Sequence, residues 1–209
     1  MKKIILTIAV VLTANFVSAQ DMKFGVKGGL NLSNVTGDGN PSMKVGIHFG
    51  GFMEYKVSEK FVIQPELLFS TQGAKFEYSD SFEGESYSEN SNYKLSYLNI
   101  PIMAKYYVSE KFSLEAGPQI GFLLSAKNDF DYSETFGGET FSESGEVDIK
   151  EFLNSTDFGI NFGAGYDLNE KMSLGFRYNL GLTDIEKDLD PGASGSKNSV
   201  FQLSFGYKF

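Results

Sequence analysis

The chain ends in the twelve residues Asn198-Ser199-Val200-Phe201-Gln202-Leu203-Ser204-Phe205-Gly206-Tyr207-Lys208-Phe209. From Phe201 onward a large apolar residue stands at every second position, which predicts a β-strand with one apolar face. An unpaired strand of this kind favours aggregation in a soluble protein, whereas the closing strand of a transmembrane barrel needs this pattern. We therefore expect a barrel-closing strand, with Phe205, Tyr207 and Phe209 as its closing signal.

Seven further segments alternate in the same way. An even number of amphipathic strands is typical of bacterial membrane barrels. The pattern predicts an all-β fold, an eight-stranded antiparallel up-and-down transmembrane β-barrel with long extracellular hairpin loops. The seven segments are 23–32, 44–57, 61–72, 98–108, 113–125, 157–168 and 172–183.

Two kinds of connection separate these segments. Three are near-copies of one tight turn, Ser58-Glu59-Lys60, Ser109-Glu110-Lys111 and Asn169-Glu170-Lys171. Bacterial membrane barrels have short periplasmic turns and long extracellular loops, so we expect both mature termini in the periplasm. The longer polar connections are 34–42, 78–92, 128–152 and 185–197.

Glycine distinguishes the two faces of the predicted barrel. A soluble barrel also alternates, so periodicity alone does not show which face points inward. The glycines fall on the polar face, and small side chains suit a narrow lumen lined by eight strands. The apolar face is therefore expected to meet lipid. These glycines are Gly25, Gly29, Gly46, Gly50, Gly117, Gly121, Gly159, Gly163, Gly165, Gly175, Gly181 and Gly206.

Some residues interrupt this pattern. Pro65, Pro101 and Pro118 lie inside predicted strands, where each removes one backbone hydrogen bond. The alternation also slips between Tyr97 and Leu98. We expect β-bulges at these places.

The first residues predict a secretory signal peptide. Lys2 and Lys3 precede an apolar run that is too short for a spanning helix, and Val17-Ser18-Ala19 has a small-x-small form. Residues 1–19 are therefore the predicted signal peptide, and 20–209 the barrel domain. Cleavage would remove two of the 18 basic and none of the 27 acidic residues, which moves the formal charge from −9 to −11. Such a chain has no basic face for nucleic acid.

Two acidic segments repeat one another. The segment 76–89 aligns with 130–143, and both alternate aromatic residues with acidic or hydroxyl residues around a glycine. We predict hairpins that extend above the membrane as sheet. Their candidate binding surface is Tyr78, Phe82, Glu85, Tyr87, Glu89, Tyr132, Phe136, Glu139, Phe141 and Glu143.

The charge of these hairpins has two interpretations. It can simply keep an exposed hairpin soluble and apart from anionic lipopolysaccharide. Alternatively, the carboxylates bind a hard cation such as Ca²⁺ or a basic extracellular protein. The sequence lacks the Asp-x-Asp-x-Asp-Gly spacing that would indicate a dedicated metal-binding loop. No cofactor is expected.

Charges of both signs are predicted in the lumen. Buried charges need partners, so we expect an ion-pair network of Lys27, Glu54, Glu66, Lys105, Glu115 and Arg177. His48, the single histidine, falls on the same face without a His-x-Ser pattern, which favours packing over catalysis. A lumen of eight strands has room only for its own side chains, which disfavours a solute pore.

Several segments resemble the PorT-like outer-membrane β-barrel family of Bacteroidota. They are 25–33, 64–75, 97–106, 116–124 and the ending 203–209, and the resemblance spans nearly the whole mature chain. Asn99 stands where the family usually carries an acid, and the family has prolines at positions 65, 101 and 118. The resemblance implies the fold and the outer membrane of a Gram-negative bacterium, and it implies a link to type IX protein secretion more weakly.

These observations predict a non-enzymatic outer-membrane barrel that binds a partner, or supports the envelope, through its surface loops. The alternatives are an accessory component of type IX secretion and a narrow pore for small solutes. Expected partners are outer-membrane lipid and lipopolysaccharide, the barrel-assembly machinery during biogenesis, and an extracellular protein or cation.

Overall fold

The computed structural model describes residues 22–36, 41–82, 85–187 and 195–209. The predicted signal peptide, residues 1–19, lies outside the described residues. The described chain forms nine antiparallel strands and one short 3₁₀ turn at Lys150–Phe152. The strands are β1 (Met22–Thr36), β2 (Ser42–Lys56), β3 (Phe61–Phe82), β4 (Glu85–Tyr107), β5 (Phe112–Phe136), β6 (Glu139–Asp148), β7 (Thr156–Asp167), β8 (Met172–Gly181) and β9 (Lys197–Lys208).

Eight of the nine strands form a closed ring. Sequential neighbours pair from β1 to β5, β5 pairs with β7, and the ring continues through β8 and β9. β9 closes it by pairing with β1 as well as β8, so that Leu30 faces Leu203 across the seam. The predicted eight-stranded up-and-down barrel is confirmed. The ninth strand, β6, stands outside the ring and pairs with β5 alone among the described strands.

The three tight turns share one geometry, and they define the short-turn end of the barrel. The N–H groups of Val57, Val108 and Leu168 each donate to a carbonyl four residues later, at 2.9 Å. A serine or asparagine side chain in each turn then accepts from the first N–H of the next strand. Met22 and Phe209 lie at this same end, and the long connections lie at the other, the hairpin end.

The two faces of the ring are as predicted. In β9, Leu203 and Phe205 point outward and are about half exposed, whereas Gln202, Ser204 and Lys208 are buried inside. The same division holds around the ring, where exposed side chains such as Val26, Phe49 and Phe176 form an apolar outer wall. Among the described residues, no helix is long and apolar enough to cross a membrane, a finding that does not bear on crossing by strands.

Inward glycines allow neighbouring backbones to approach closely. A Cβ atom on Gly29 would lie 1.9 Å from the Leu203 carbonyl oxygen, and one on Gly117 would lie 2.0 Å from that of Ile102. At Gly165 and Gly206 a Cβ would instead meet lumen side chains. Crowding of the lumen, the predicted reason, therefore explains only part of the glycine pattern, and curvature of the sheet explains the rest.

The predicted bulges at the prolines are wrong. Pro65, Pro101 and Pro118 each pair in a continuous register. Register shifts occur in the β2–β3 pair between Met43 and His48, and in the β4–β5 pair between Ser96 and Tyr97. The β-bulge predicted at Tyr97 and Leu98 thus lies one residue earlier. The alternation of β4 itself does not slip there, because Tyr97 points into the barrel and is only 1% exposed.

An apolar cluster closes the hairpin end of the lumen. Its side chains come from four strands and from the connections before β7 and β9, so it forms only when the ring closes. It separates the polar interior from the space above the barrel. Its members are Val35, Ala74, Leu95, Tyr97, Leu123, Ala126, Leu153 and Ile185, with Phe76 and Ile149 packed against them.

Candidate functional site

The two repeated segments combine into one four-stranded sheet at the hairpin end. β3, β4 and β5 contain 22, 23 and 25 residues, about twice the roughly ten that a membrane-crossing strand needs. Their ends continue beyond the ring, and β6 adds to β5 as a fourth strand. The boundaries predicted for the loops 78–92 and 128–152 are therefore wrong, whereas the predicted extension as sheet is confirmed.

All ten residues of the predicted binding surface lie on one face of this sheet, here called the aromatic face. The register places Tyr78 opposite Glu89, Glu89 opposite Tyr132, and Tyr132 opposite Glu143. Residues directly opposite one another in a sheet share a face. The remaining members, at even spacing along the same strands, are Phe82, Glu85, Tyr87, Phe136, Glu139 and Phe141.

Four aromatic rings cross the aromatic face in a continuous row. The ring centroids of Tyr78 and Tyr87 are 5.8 Å apart, those of Tyr87 and Tyr132 are 5.5 Å apart, and those of Tyr132 and Phe141 are 6.2 Å apart. All three pairs are edge-to-face, a favourable arrangement for aromatic rings. Phe82 and Phe136, 73% and 68% exposed, extend the apolar surface toward the tips of the hairpins.

Carboxylates hold two of these rings in place. The Tyr87 hydroxyl donates to Glu89 at 2.7 Å, and the Tyr132 hydroxyl donates to Glu134. The hydrogen bond to Glu134 raises the pKa of Tyr132 to about 12, and the bond to Glu89 raises the pKa of Tyr87. Both phenols therefore remain neutral at physiological pH, and the acids beside them remain available as hydrogen-bond acceptors.

The opposite face of the sheet carries short hydroxyl side chains. Ser79, Ser88, Ser133 and Ser142 stand in one row across the four strands. Within that row, the Ser133 and Ser142 hydroxyls are 3.2 Å apart. This hydroxyl face belongs to the same strands as the aromatic face but lacks its row of rings, and its carboxylates lie nearer the barrel, at Glu77, Asp129, Asp131 and Glu146. It therefore supplies matched control positions.

Ion pairs hold the base of the sheet together. Lys94 pairs with Asp129 and lies 3.6 Å from Glu146, which also pairs with Lys127. These pairs are exposed, so solvent screens them and each contributes little to stability. The acids of the aromatic face form none of the ion pairs found in the described part of the chain. Its negative charge is therefore free to act on a ligand.

A cavity of about 440 Å³ lies below the sheet, at the mouth of the barrel. Its wall is mainly apolar and includes Phe76, Tyr93, Leu153 and Ile185. Phe76 and Tyr93 also form an edge-to-face pair at 5.3 Å and lie on the side of the sheet that bears the aromatic face. The inner side of the sheet is therefore aromatic from the mouth of the barrel upward.

The structure brings together the six residues of the predicted lumen network. Arg177 donates two hydrogen bonds to Glu66, at 2.9 and 3.0 Å, and one to Glu115 at 2.9 Å. Lys27 adds a second cation beside Glu66, at 3.2 Å. All these side chains are almost completely buried, so the pairing compensates for their loss of water.

A second layer of ion pairs lies nearer the short-turn end. Glu54 accepts from Lys105 at 2.9 Å and pairs with Lys208 at 3.1 Å, and Lys208 also reaches Asp167. Sequence reasoning placed Lys208 on the inner face but omitted it from the network. The available signal was the position of Lys208 on the polar side of β9, one residue before Phe209.

A hydrogen-bonded chain of serine, histidine and asparagine crosses the lumen. His48 Nε2 lies 2.9 Å from Ser204 Oγ, and His48 Nδ1 lies 2.7 Å from Asn31 Oδ1. This order of groups matches the nucleophile, base and orienting residue of serine hydrolases. The sequence has no His-x-Ser pattern at His48, and the serine partner comes instead from a strand 156 residues away.

The hydrogen-bonded group of Ser204, His48 and Asn31 has no room for a substrate. Asn31, His48 and Ser204 are at most 6% exposed, and the adjoining cavity of about 20 Å³ holds one water molecule at most. A nucleophilic serine needs space for a carbonyl carbon and donors for its oxyanion. We interpret the three residues as a polar plug.

Ser204 is therefore expected to resist a fluorophosphonate probe in the folded barrel. The measurement is mass spectrometry of Ser204 after incubation in lipid vesicles, with a serine hydrolase in the same vesicles as a positive control. Stoichiometric labelling of Ser204 that disappears in His48→Gln would contradict the plug and indicate a hydrolase.

The interior is otherwise filled. A vestibule of about 910 Å³ opens at the short-turn end, but the ion pairs and the apolar cluster lie above it. Within the described ranges, no three or more histidine, cysteine, aspartate and glutamate side chains are grouped to hold a metal ion. The structure thus offers no continuous channel through its described part, and a cation would meet only diffuse negative charge.

The sequence matches the family model described as outer membrane protein beta-barrel domain over residues 18–187. The chain belongs to this family. An outer membrane β-barrel of this kind has its apolar wall in lipid and its polar residues inside, as the exposed and buried side chains of the ring are arranged here.

Solved outer-membrane proteins are similar to this barrel in structure. Ail of Yersinia pestis, solved with the heparin analogue sucrose octasulfate, is 14% identical with a TM-score of 0.47, and the alignment covers 90% of this chain and 99% of Ail. Neisserial surface protein A is 12% identical with a TM-score of 0.48, covering 89% and 97%. OprG of Pseudomonas aeruginosa is 14% identical with a TM-score of 0.38, covering 90% and 95%.

Comparison of the sequence with curated proteins gives no match. The resemblance to PorT-like members, the origin in Bacteroidota and the role in type IX secretion stay predictions, because the description of the matching family names none of them. The signal peptide and the periplasmic position of the termini also stay predictions.

Proposed function

We propose that this outer membrane β-barrel is a non-enzymatic surface-binding protein that presents its aromatic face outside the cell. In this orientation the hairpin end is extracellular, and the short-turn end, with both mature termini, is periplasmic. The outer wall contacts lipid and lipopolysaccharide. Phe205, Tyr207 and Phe209 form the closing signal for the barrel-assembly machinery.

One observation carries the proposal. The aromatic face has a row of four aromatic rings with carboxylates beside them, and it stands on strands that continue far beyond the ring. Exposed aromatic surface of this extent is costly in water and is enriched at binding interfaces. The rings stand on strands that are hydrogen-bonded to one another, which orders them before binding and lowers the entropy lost.

The shape and charge of the aromatic face narrow the range of ligands. Tyrosine rings offer flat apolar contacts with hydroxyl groups at their rims, and the acids accept hydrogen bonds from N–H and O–H donors. A ligand with cationic or hydroxyl groups and some apolar surface satisfies both features. An extracellular protein with a basic surface therefore fits better than an anionic polymer or a bare cation.

Replacing Tyr87 and Tyr132 together with alanine is expected to weaken binding by about 10- to 100-fold, because central tyrosines supply much of the energy of an interface. The partner is first cross-linked to the protein on intact cells and purified. Its affinity is then measured for the barrel in lipid nanodiscs.

The matched control replaces Ser88 and Ser133 with alanine on the hydroxyl face of the same two strands. Its affinity is expected to stay within about twofold of the wild type, since these residues contact nothing bound to the aromatic face. Equal affinities for the tyrosine and serine variants would reject the aromatic face as the binding surface.

A further inference from the structure

One edge of the extended sheet is open. In the described part of the chain, β6 pairs with β5 on one side and with no strand on the other, and all ten of its residues are exposed. An unpaired strand edge presents a row of backbone N–H and C=O groups to another chain. Ten residues give a free edge of roughly 33 Å.

The hydrogen-bond pattern shows which residues face outward along this edge. The Ile149 N–H donates to the Ala126 carbonyl at 3.0 Å, in the same register as the β5–β6 pair. Antiparallel ladders alternate, so the odd-numbered residues of β6 bond to β5 and the even-numbered ones point away.

The hairpin turn gives the same assignment. Gly137 and Gly138 both have positive φ, 60° and 84°, as in a two-residue type I′ turn. Such a turn places its flanking residues, Phe136 and Glu139, in a hydrogen-bonded pair. The backbone groups of Thr140, Ser142, Ser144 and Glu146 therefore form the free edge.

The side chains along this edge select a partner by charge. β6 contains Glu139, Glu143, Glu146 and Asp148 and no basic residue. The other exposed edge of the extended sheet, in β3 beyond Lys75, adds Glu77 and Asp80. Like charges directly opposite one another destabilise a pair of strands, so β6 disfavours pairing with a second copy of this protein and favours a basic strand.

We propose that β6 is a strand-addition site for an extended basic segment of an extracellular protein. The segment lies antiparallel or parallel along the free edge and bonds to its backbone groups. On the aromatic face, its side chains alternate between basic residues near Glu139 and Glu143 and an apolar residue near Phe141. On the hydroxyl face, small polar residues suit Thr140, Ser142 and Ser144.

This inference rests on the proposed surface-binding function and narrows the class of its partner. It adds a distinct recognition element, because the main-chain hydrogen bonds of the edge contribute to affinity independently of contacts with the aromatic face. The added strand would become the fifth of the sheet and would extend both faces.

The test uses a fluorescent peptide of about ten residues. It carries lysine, tyrosine and valine on one face and threonine on the other, and a control peptide has glutamate in place of lysine. Anisotropy measures the affinity of each for the full barrel in neutral lipid nanodiscs. We expect saturable binding of the lysine peptide and none of the glutamate peptide.

Ser144→Pro isolates the backbone contribution. Proline removes an outward N–H, which an edge strand tolerates, while the β5–β6 hydrogen bonds remain. We expect Ser144→Pro to lower the affinity for the lysine peptide by about tenfold. Ser144→Ala keeps the N–H and is expected to change this affinity by less than about twofold. Ser142→Pro repeats the test, and hydrogen exchange at the odd-numbered amides verifies that β6 remains paired.

Each outcome decides the inference. Loss of binding in both proline variants, with protection of the Thr140 and Ser142 amides by the peptide, supports it. Binding that is insensitive to proline but lost on replacement of Tyr87 and Tyr132 overturns strand addition and leaves the proposed function intact. If the lysine peptide does not bind, the proposal that β6 binds a basic strand is rejected. The same proposal is rejected if the wild type forms a dimer that Ser144→Pro abolishes.

Discussion

Replacing Arg177 with leucine is expected to lower the free energy of unfolding of the barrel by about 3–5 kcal/mol. The guanidinium donates three hydrogen bonds to Glu66 and Glu115. Its removal leaves Glu66 with Lys27 and leaves Glu115 without an ion-pair partner in the described part of the chain. A buried carboxylate without a partner is far more costly than an exposed one.

The measurement is urea-dependent unfolding in lipid vesicles, followed by the electrophoretic shift between the folded and unfolded barrel. Lys127→Leu, which breaks an exposed pair with Glu146, is the control and is expected to lower stability far less, because solvent screens that pair. Adding Glu115→Gln to Arg177→Leu should restore part of the loss. Equal stabilities of Arg177→Leu and Lys127→Leu would contradict a network that supports the fold.

Alanine at Gly29 is expected to prevent the barrel from closing. Its Cβ would lie 1.9 Å from the Leu203 carbonyl oxygen and 2.9 Å from the His48 ring. The first contact involves backbone of the closing strand, so it is relieved only if β1 and β9 separate and lose hydrogen bonds along the seam. We expect a loss of at least about 3 kcal/mol, or no folded protein.

Gly175→Ala is the matched control for this prediction. Gly175 also faces inward and pairs with Ser204, from the other side of β9. Its added Cβ would meet only Ser204 Cβ at 3.8 Å, an ordinary contact. We expect normal folding yields for Gly175→Ala and little folded protein for Gly29→Ala, measured by refolding into vesicles. Normal folding yields for both variants would contradict the conclusion that β1 and β9 approach too closely at Gly29 to admit a Cβ atom.

The two predictions depend on different parts of the sequence signal. Polar residues at every second position predicted that Arg177 and Glu66 would both face inward, and their opposite charges predicted pairing. The same alternation predicted that glycine would line the lumen. It did not predict that the Cβ of Gly29 would collide with backbone and that of Gly175 would not, because this depends on how closely each neighbouring strand approaches.

The hairpin sheet was also partly predictable. The repeated alternation of aromatic and acidic residues predicted both hairpins and placed the ten surface residues on common faces within each hairpin. Their union into one sheet was not predictable, because the pairing of Tyr87 in β4 with Glu134 in β5 depends on β4 and β5 continuing in register beyond the ring. The free edge of β6 follows from the same pairing.

Other features were missed for related reasons. Tyr97 is an inward aromatic in a lumen expected to be polar, and its large apolar ring resembled a slip in the alternation. Ser204 and Asn31 were ordinary polar residues of the inner face until the ring placed both beside His48. No local pattern connects residues that are brought together only by closure.

The sequence by itself determined the strands, their two faces and the acidic, aromatic character of the hairpins, because side-chain direction in a strand alternates through local backbone geometry. Only the tertiary structure decided that Arg177 meets Glu66, 111 residues away, and that β6 has an open edge. The reason is that strand stagger in a closed ring sets the height of each inward residue, and this stagger is a property of all eight strands together.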